Sequence, residues 1–283
     1  MKKFKNLIPL KTMNPQSNLK NILKLSLGLS CLLPILKVED IKAVTACATS
    51  DSVSDLSAEA NPCFITPEMM KVKFYEIGFC TDDPLSTGTF VNTNCYKTWD
   101  NSSGFTTDIG QQTFENMVGE VYRVPNGTYT HAYAIMTNEK TYKAKYKLSD
   151  GNTYYTNSTN GLVTTSESEY GEWTDDISNM VGEETTDKCY DYTASTDEGT
   201  VTALLTNASL VTATDTSTCE SATRVVGSIA LNSSVKIDNN VRGYKLDWKI
   251  TNQGIGISDN ANEDNIPYDW YGGPFTPIFT LIK

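Results

Sequence analysis

The sequence has very few of the residues that most often build catalytic and nucleic-acid-binding sites. Its 283 residues include one histidine, His131, and three arginines. A Ser-His-Asp triad would have to use His131 as its base, and no Gly-x-Ser-x-Gly motif is present. Three arginines are too few to cluster around phosphate groups, and the net charge of −11 repels nucleic acid. These absences predict a non-enzymatic protein without a nucleic-acid partner.

The sequence also lacks an apolar run long enough to cross a membrane, which takes roughly 20 residues. The apolar segment Leu25–Leu36 has only twelve residues; a basic head with six lysines and no acid precedes it, and small residues follow at Ala43–Ala46. This order predicts a signal peptide over residues 1–46, no membrane span, and a secreted or cell-surface protein of the bacterial periplasm or exterior. Val44–Cys47 also resembles a lipobox, so lipid anchoring through Cys47 is the alternative.

An even set of cysteines remains after removal of the signal peptide, which suits an oxidising compartment. The six are Cys47, Cys63, Cys80, Cys95, Cys189 and Cys219. We expect neighbours in sequence to pair, because short loops cost less entropy to close. The predicted disulfides are Cys47–Cys63, Cys80–Cys95 and Cys189–Cys219.

Long helical stretches rich in Leu or Ala are missing, whereas Thr, Ser, Asn and Tyr are abundant and alternating apolar and polar positions recur. This pattern predicts an all-β fold, an antiparallel β-sandwich stapled by disulfides. A polar N-terminal segment, residues 47–68, precedes a β-sandwich unit over residues 69–165. Residues 166–283 form either a second β unit or a continuation of the same sandwich.

Two local patterns predict particular strand pairings. Pro125-Asn126-Gly127 lies between two strand-like segments, and Asn-Gly is typical of a tight hairpin turn. At the C-terminus, Pro277–Lys283 has apolar residues at both alternating sets of positions. It therefore predicts a strand covered on both faces, paired within its own sheet or exchanged with a neighbouring copy.

Two short motifs occur twice in the same order. Asn116–Glu120 recurs as Asn179–Glu183, and Ala134–Asn138 is echoed by Ala203–Asn207. The pattern indicates either a duplicated β unit or a coincidence among strands rich in turns.

The candidate ligand-binding residues lie near the C-terminus. Tyr268, Trp270 and Tyr271 could stack on a sugar or contact a partner protein, or they could cap the core. Just before them, a run of oxygen-bearing side chains could bind calcium or form a solvated loop. Its candidate ligands are Asp259, Asn260, Asn262, Glu263 and Asp264. No other cofactor is predicted.

Paired acids are the third kind of candidate. Asp175-Asp176 and Glu183-Glu184 could supply the two carboxylates of a glycoside hydrolase, and Asp247 lies beside Trp248. In an acidic protein such neighbours also occur as solvated loop residues. We therefore assign no catalytic residue.

The segment Arg123–Thr130, with the sequence RVPNGTYT, resembles the Pro-x-Gly-x-Tyr-Thr turn of secreted bacterial β-sandwich surface domains of the prealbumin-like and carboxypeptidase-regulatory-like kinds. In those domains a first strand and a Trp-containing strand precede the turn, and Met70–Phe79 and Tyr96–Trp99 are similar in order and spacing. The resemblance covers residues 70–150. It implies a cell-surface β-sandwich of the Ig-like or prealbumin-like type and no catalytic residue.

These observations predict an exported, non-enzymatic cell-surface or extracellular protein with a structural, adhesive or assembly role. Its expected partners are further copies of itself, surface proteins or glycans. The alternatives are a carbohydrate-binding module, with or without calcium, and a carboxylate-dependent hydrolase.

Overall fold

The computed structural model describes residues 44–56, 63–110, 117–158, 162–178, 192–258 and 269–283. The strands are β1 Cys63–Ile65, β2 Met69–Cys80, β3 Cys95–Asp108, β4 Glu120–Val121, β5 Gly127–Lys143, β6 Lys145–Lys147, β7 Thr153–Thr156, β8 Val163–Thr164, β9 Trp173–Asp176, β10 Tyr192–Thr196, β11 Gly199–Thr206, β12 Arg224–Ile237, β13 Gly243–Lys249, β14 Ile255–Ser258, β15 Asp269–Gly272 and β16 Thr276–Ile282. A short helix, α1, spans Thr216–Glu220, and 3₁₀ turns lie at Val53–Leu56 and Glu167–Glu169. The fold is all-β, as the composition predicts.

An eight-stranded antiparallel sheet forms the centre of the fold. Its strand order is β10-β11-β12-β5-β2-β3-β4, and β9 pairs with the second half of β5. β5 occupies the middle because both of its faces carry residues that need burial, with Ala134 and Met136 on one face and Tyr133 and Ile135 on the other. The sheet combines strands from residues 69–165 with strands from residues 166–283.

Smaller sheets cover the front face of this sheet, which carries Phe74 and Phe79. In the two-stranded β13-β16 sheet, the Trp248 ring stacks on Phe74 with centroids 4.7 Å apart, and the Phe279 ring lies 4.5 Å from that of Phe79. A three-stranded sheet, β1-β14-β15, contributes the buried Trp270 to the same core. Each fully buried aromatic ring stabilises the fold by roughly 2–3 kcal/mol, so these contacts hold the layers together as a sandwich.

A loop, not a sheet, covers part of the back face, which carries Tyr133 and Ile135. Residues 81–94 fold over this face, where Leu85 is buried and the Phe90 ring lies 5.5 Å from that of Tyr133. The disulfide Cys80–Cys95 closes the loop at its base, with Cα atoms 4.1 Å apart. The bond therefore holds an irregular segment against apolar side chains.

Two of the predicted disulfides, Cys47–Cys63 and Cys80–Cys95, are present. Cys219 is also disulfide-bonded, but Cys189 lies outside the described residues, as does most of the predicted signal peptide. No helix among the described residues is both long and apolar enough to cross a membrane.

The predicted hairpin at Pro125-Asn126-Gly127 is wrong. Neither Asn126 nor Gly127 has the positive φ that such a turn requires. The preceding segment pairs elsewhere, with Val121 opposite Trp99 of β3, while β5 pairs with β2 and β12. A hydrogen bond of 2.7 Å from the Tyr129 hydroxyl to the Pro125 carbonyl holds the connection against the start of β5.

The prediction that the C-terminal strand is covered on both faces is also wrong. Phe279 and Leu281 pack into the core around Phe79, but Ile278 and Ile282 on the other face are 39% and 52% exposed. The strand is paired, because β16 runs antiparallel to β13 from Thr276 opposite Lys249 to Ile282 opposite Gly243. On this outer face Thr276 is buried, but no described residues cover the strand from Ile278 to Ile282.

Candidate functional site

A polar groove on the back face is the clearest candidate site among the described residues. It has a volume of about 480 Å³. The residues that line it include Glu76, Asn92, Tyr96, Lys97, Tyr122 and Arg123. We call it the Tyr96 groove.

A β-bulge places Glu76 in the groove. Phe74 lies opposite Met136, but Glu76 lies opposite Ile135, so β2 contains one residue more than β5 between these points. A bulge of this kind changes the direction of the following side chains. It places Glu76 on the back face, where its carboxylate accepts a hydrogen bond of 2.6 Å from the Tyr133 hydroxyl.

Lys97 lies between two carboxylates in the groove. Its ammonium is 2.5 Å from Asp100 and 3.9 Å from Glu76, which is the cross-strand neighbour of Asp100. The hydrogen bond that the Lys97 ammonium donates to Asp100 raises the pKa of Lys97. Burial raises the pKa of Glu76, although the Tyr133 hydrogen bond and Lys97 oppose this shift. The groove therefore holds a partly buried carboxyl beside a fixed positive charge.

Two tyrosines and an arginine line the outer part of the groove. The Tyr122 hydroxyl donates to Glu120 at 2.8 Å, and this bond is the main reason that the pKa of Tyr122 rises to about 12. Tyr96 is 40% exposed, and its ring packs edge-on against that of Tyr129. The Arg123 guanidinium has no hydrogen bond or ion pair with any other residue that the structure describes. A groove with charged groups of both signs and with an exposed tyrosine at its rim suits a polar ligand with many hydroxyl groups.

The predicted aromatic site near the C-terminus is not a surface site. Trp270 is 1% exposed, and its indole N–H donates to the Tyr155 carbonyl at 3.0 Å. Tyr271 is partly buried and packs edge-on against Phe64. Trp270 therefore lies in the core, which is the alternative to ligand binding that the sequence left open, because the face of β15 that carries it points inward. Tyr268 lies outside the described residues.

Beside β15 lies a cluster of buried and half-buried ionisable groups, of which the sequence pointed only to Asp175. Lys140 is 5% exposed and lies opposite Asp175 in the β5-β9 pair. Burial lowers the pKa of Lys140 to about 8 and raises that of Asp175, which accepts a hydrogen bond of 3.2 Å from the Gly272 amide. Burial also raises the pKa of Asp269 to about 6. The Lys140 ammonium lies 5.8 Å from the centroid of the Phe275 ring, whereas Asp175 and Asp269 are half-buried.

The predicted acid pairs do not form a cleft among the described residues. Asp175 and Asp176 are consecutive in β9, so their side chains point to opposite faces. Asp247 is paired with Lys245 at 2.9 Å. Glu183 and Glu184 lie outside the described residues, and so do the calcium candidates Asp259, Asn260, Asn262, Glu263 and Asp264. Within the described ranges, no three His, Cys, Asp or Glu side chains are grouped so that they could hold a metal ion.

Comparison with known proteins adds no relative. No protein family, curated protein sequence or solved structure matches the chain. The features that bear on function are therefore the Tyr96 groove and the strand edges.

Proposed function

We propose that this protein is an exported, non-enzymatic component of the cell surface with a structural or assembly role. The observation that carries the proposal is the outer side of β16. Ile278 and Ile282 are exposed there, and within the described residues β16 pairs with β13 alone.

An edge strand with free N–H and C=O groups is a template for pairing with another chain. Soluble proteins usually protect such edges with charged side chains, and β13 follows this rule, since its outer face carries Lys245 and Asp247. The exposed residues on the outer face of β16 are Ile278, Thr280 and Ile282, and none of them is charged. Exposed apolar residues on an open edge indicate that this part of β16 is a surface for binding another protein chain.

The disulfides support export. Cys47–Cys63, Cys80–Cys95 and the bonded Cys219 suit an oxidising compartment, because cytosolic reductants keep most thiols reduced. Two of these bonds close short loops at the ends of strands, as is common in proteins that act outside the cell.

Surface accessibility on intact cells tests the proposal. An antibody raised against the folded chain should label intact cells, and externally added protease should remove the label while a cytosolic marker remains. The purified protein should release no product from a panel of polysaccharide and ester substrates. Recovery of the protein only from the cell interior, or hydrolysis that requires its carboxylates, would overturn the proposal.

Carbohydrate binding is the second candidate, and the Tyr96 groove is the observation that favours it. Glu76, Asn92 and Arg123 offer hydrogen-bonding groups in the groove, and Tyr96, which is 40% exposed, lies at its rim. On a glycan array, Tyr96→Ala should weaken binding at least tenfold, whereas Tyr155→Ala, which truncates a tyrosine outside the groove, should not. Binding that disappears with a calcium chelator but survives Tyr96→Ala would place the ligand elsewhere.

A further inference from the structure

We infer that β16 pairs antiparallel with β16 of a second copy of this chain, across a two-fold axis that passes through Thr280. The inference rests on the proposed assembly role and supplies its partner. It depends on the direction of the backbone groups of β16, on the symmetry of its sequence and on its charge.

Pro277 shows which backbone groups of β16 are free. Pro277 lies opposite Trp248 in the β13-β16 pair, yet proline has no N–H to donate. Pro277 and Trp248 must therefore form a pair without hydrogen bonds. Along an antiparallel ladder, such pairs alternate with hydrogen-bonded pairs. It follows that the N–H and C=O groups of Phe279 and Leu281 point away from β13, towards the open edge.

The sequence of β16 is symmetric in character about Thr280. In an antiparallel pair centred there, Ile278 lies opposite Ile282 of the second copy, and Phe279 lies opposite Leu281 of the second copy. Phe279 and Leu281 carry the outward backbone groups, so each exchanges both of its hydrogen bonds with the other copy. A two-fold contact requires a surface that is complementary to itself, and this pattern meets that requirement.

Side chains on both faces suit the same arrangement. On the outer face, Ile278, Thr280 and Ile282 are β-branched residues, which pack well as cross-strand pairs. On the inner face, Phe279 and Leu281 already lie on the core of their own chain, so pairing extends the small sheet without uncovering them. The product is a four-stranded layer with the order β13-β16-β16-β13.

Charge also permits the contact at this strand. Removal of residues 1–46, with eight lysines and two acids, takes the net charge from −11 to −17, so most surfaces of two copies repel each other. Thr276–Lys283 contains no acid, and its one charged side chain is Lys283. The C-terminal strand is thus a place where two acidic chains can approach closely.

The contact involves one seven-residue strand from each copy. It is therefore smaller than the standard interface of roughly 1,200–2,000 Å². We expect a weak dimer whose population depends on concentration, and which local crowding at a cell surface favours.

Cysteine cross-linking tests the position of the axis. Opposite residues in a pair without hydrogen bonds have Cα atoms about 4.5 Å apart, which allows a disulfide, so Thr280→Cys should give a covalent dimer under mild oxidation. Lys245→Cys is the matched control, because Lys245 lies beside Thr280 on the same face but about 14 Å, three strand spacings, from its counterpart. Equal cross-linking of both variants, no cross-linking of either, or capture of a different protein on intact cells by Thr280→Cys would overturn the inference.

Charge substitutions give a second, independent test. Ile278→Lys with Ile282→Lys places like charges opposite each other and should leave only monomer by light scattering. Ile278→Lys with Ile282→Glu removes the same isoleucines but places opposite charges together, and it should restore the dimer. Identical masses for the two double variants would contradict the pairing. If the protein is exposed on the cell surface but fails these tests, the proposed function stands and the β16 pairing is refuted. If the protein is absent from the cell surface, the proposed function is refuted whatever the cross-linking result.

Discussion

At the scale of single residues, burial decides which predicted roles the structure supports. Trp270 is followed by Tyr271, Gly272 and Gly273, a composition typical of an exposed binding loop. Its side chain points into the core, however, and the indole N–H donates to the Tyr155 carbonyl. Sequence alone could not distinguish the two cases, because an aromatic residue beside glycines is equally compatible with a core strand that packs closely.

Truncation of Trp270 should therefore affect stability. We expect Trp270→Ala to lower the free energy of unfolding by about 3–5 kcal/mol, measured by urea titration with the disulfides intact. Ile282→Ala, at a half-exposed position, should change it by less than about 0.5 kcal/mol. Loss of glycan binding by Trp270→Ala at unchanged stability would show that the indole acts at the surface.

Lys140 gives a prediction about pH. Its pKa in the folded protein, about 8, lies below its ordinary value of 10.5. The cost of burying the ammonium is therefore fully present below pH 8 and is lost as the pH rises to 10.5, so this group makes the protein more stable across that interval, by roughly 3 kcal/mol at most. Stability curves should show this rise in the wild type and a smaller one in Lys140→Met. Parallel curves from pH 8 to 10.5 would contradict the assignment.

At the scale of elements, the positions of the strands could be predicted more readily than the strands with which each one pairs. Alternation of apolar and polar residues locates β2, β5, β11 and β12, but β5 pairs with β2 and β12 instead of forming the predicted hairpin. Long-range pairing depends on packing of whole faces, which no local turn signal encodes.

The repeated motif illustrates the same point. Ala134–Thr137 in β5 and Ala203–Thr206 in β11 flank β12 at the same level, since Val226 lies opposite both Ile135 and Leu204. Two strands at equal height beside one partner face the same two cores. The sheet environment therefore favours similar residues in both, whether or not they arose by duplication.

The loop closed by Cys80–Cys95 depends on its disulfide. Replacing both cysteines by alanine should lower the free energy of unfolding by about 2–4 kcal/mol, because the unfolded chain gains the freedom of a loop of about 15 residues. It should also allow protease to cut within residues 81–94 in the native state. Removal of Cys47–Cys63 in the same way should not expose those sites, and cleavage at 81–94 in that variant would contradict a local effect.

At the scale of the whole molecule, the class of fold follows from the composition, whereas the candidate sites do not. The Tyr96 groove brings together Glu76, Lys97 and Arg123 from separate segments, and the bulge in β2 is what places Glu76 there. One signal was available: Glu76 is the only acid in the otherwise apolar second half of β2. The exposed face of β16 could not be predicted either, because a pattern with apolar residues on both faces is typical of a covered strand.

Hydrogen exchange at individual amides of β16 reports directly on whether this open edge pairs with another copy. We expect the Phe279 and Leu281 amides to exchange quickly in dilute solution and to become protected as the protein concentration rises. The Ile278 and Thr280 amides, which face β13, should stay protected throughout. Exchange of the Phe279 and Leu281 amides at one rate over the whole concentration range would contradict the account.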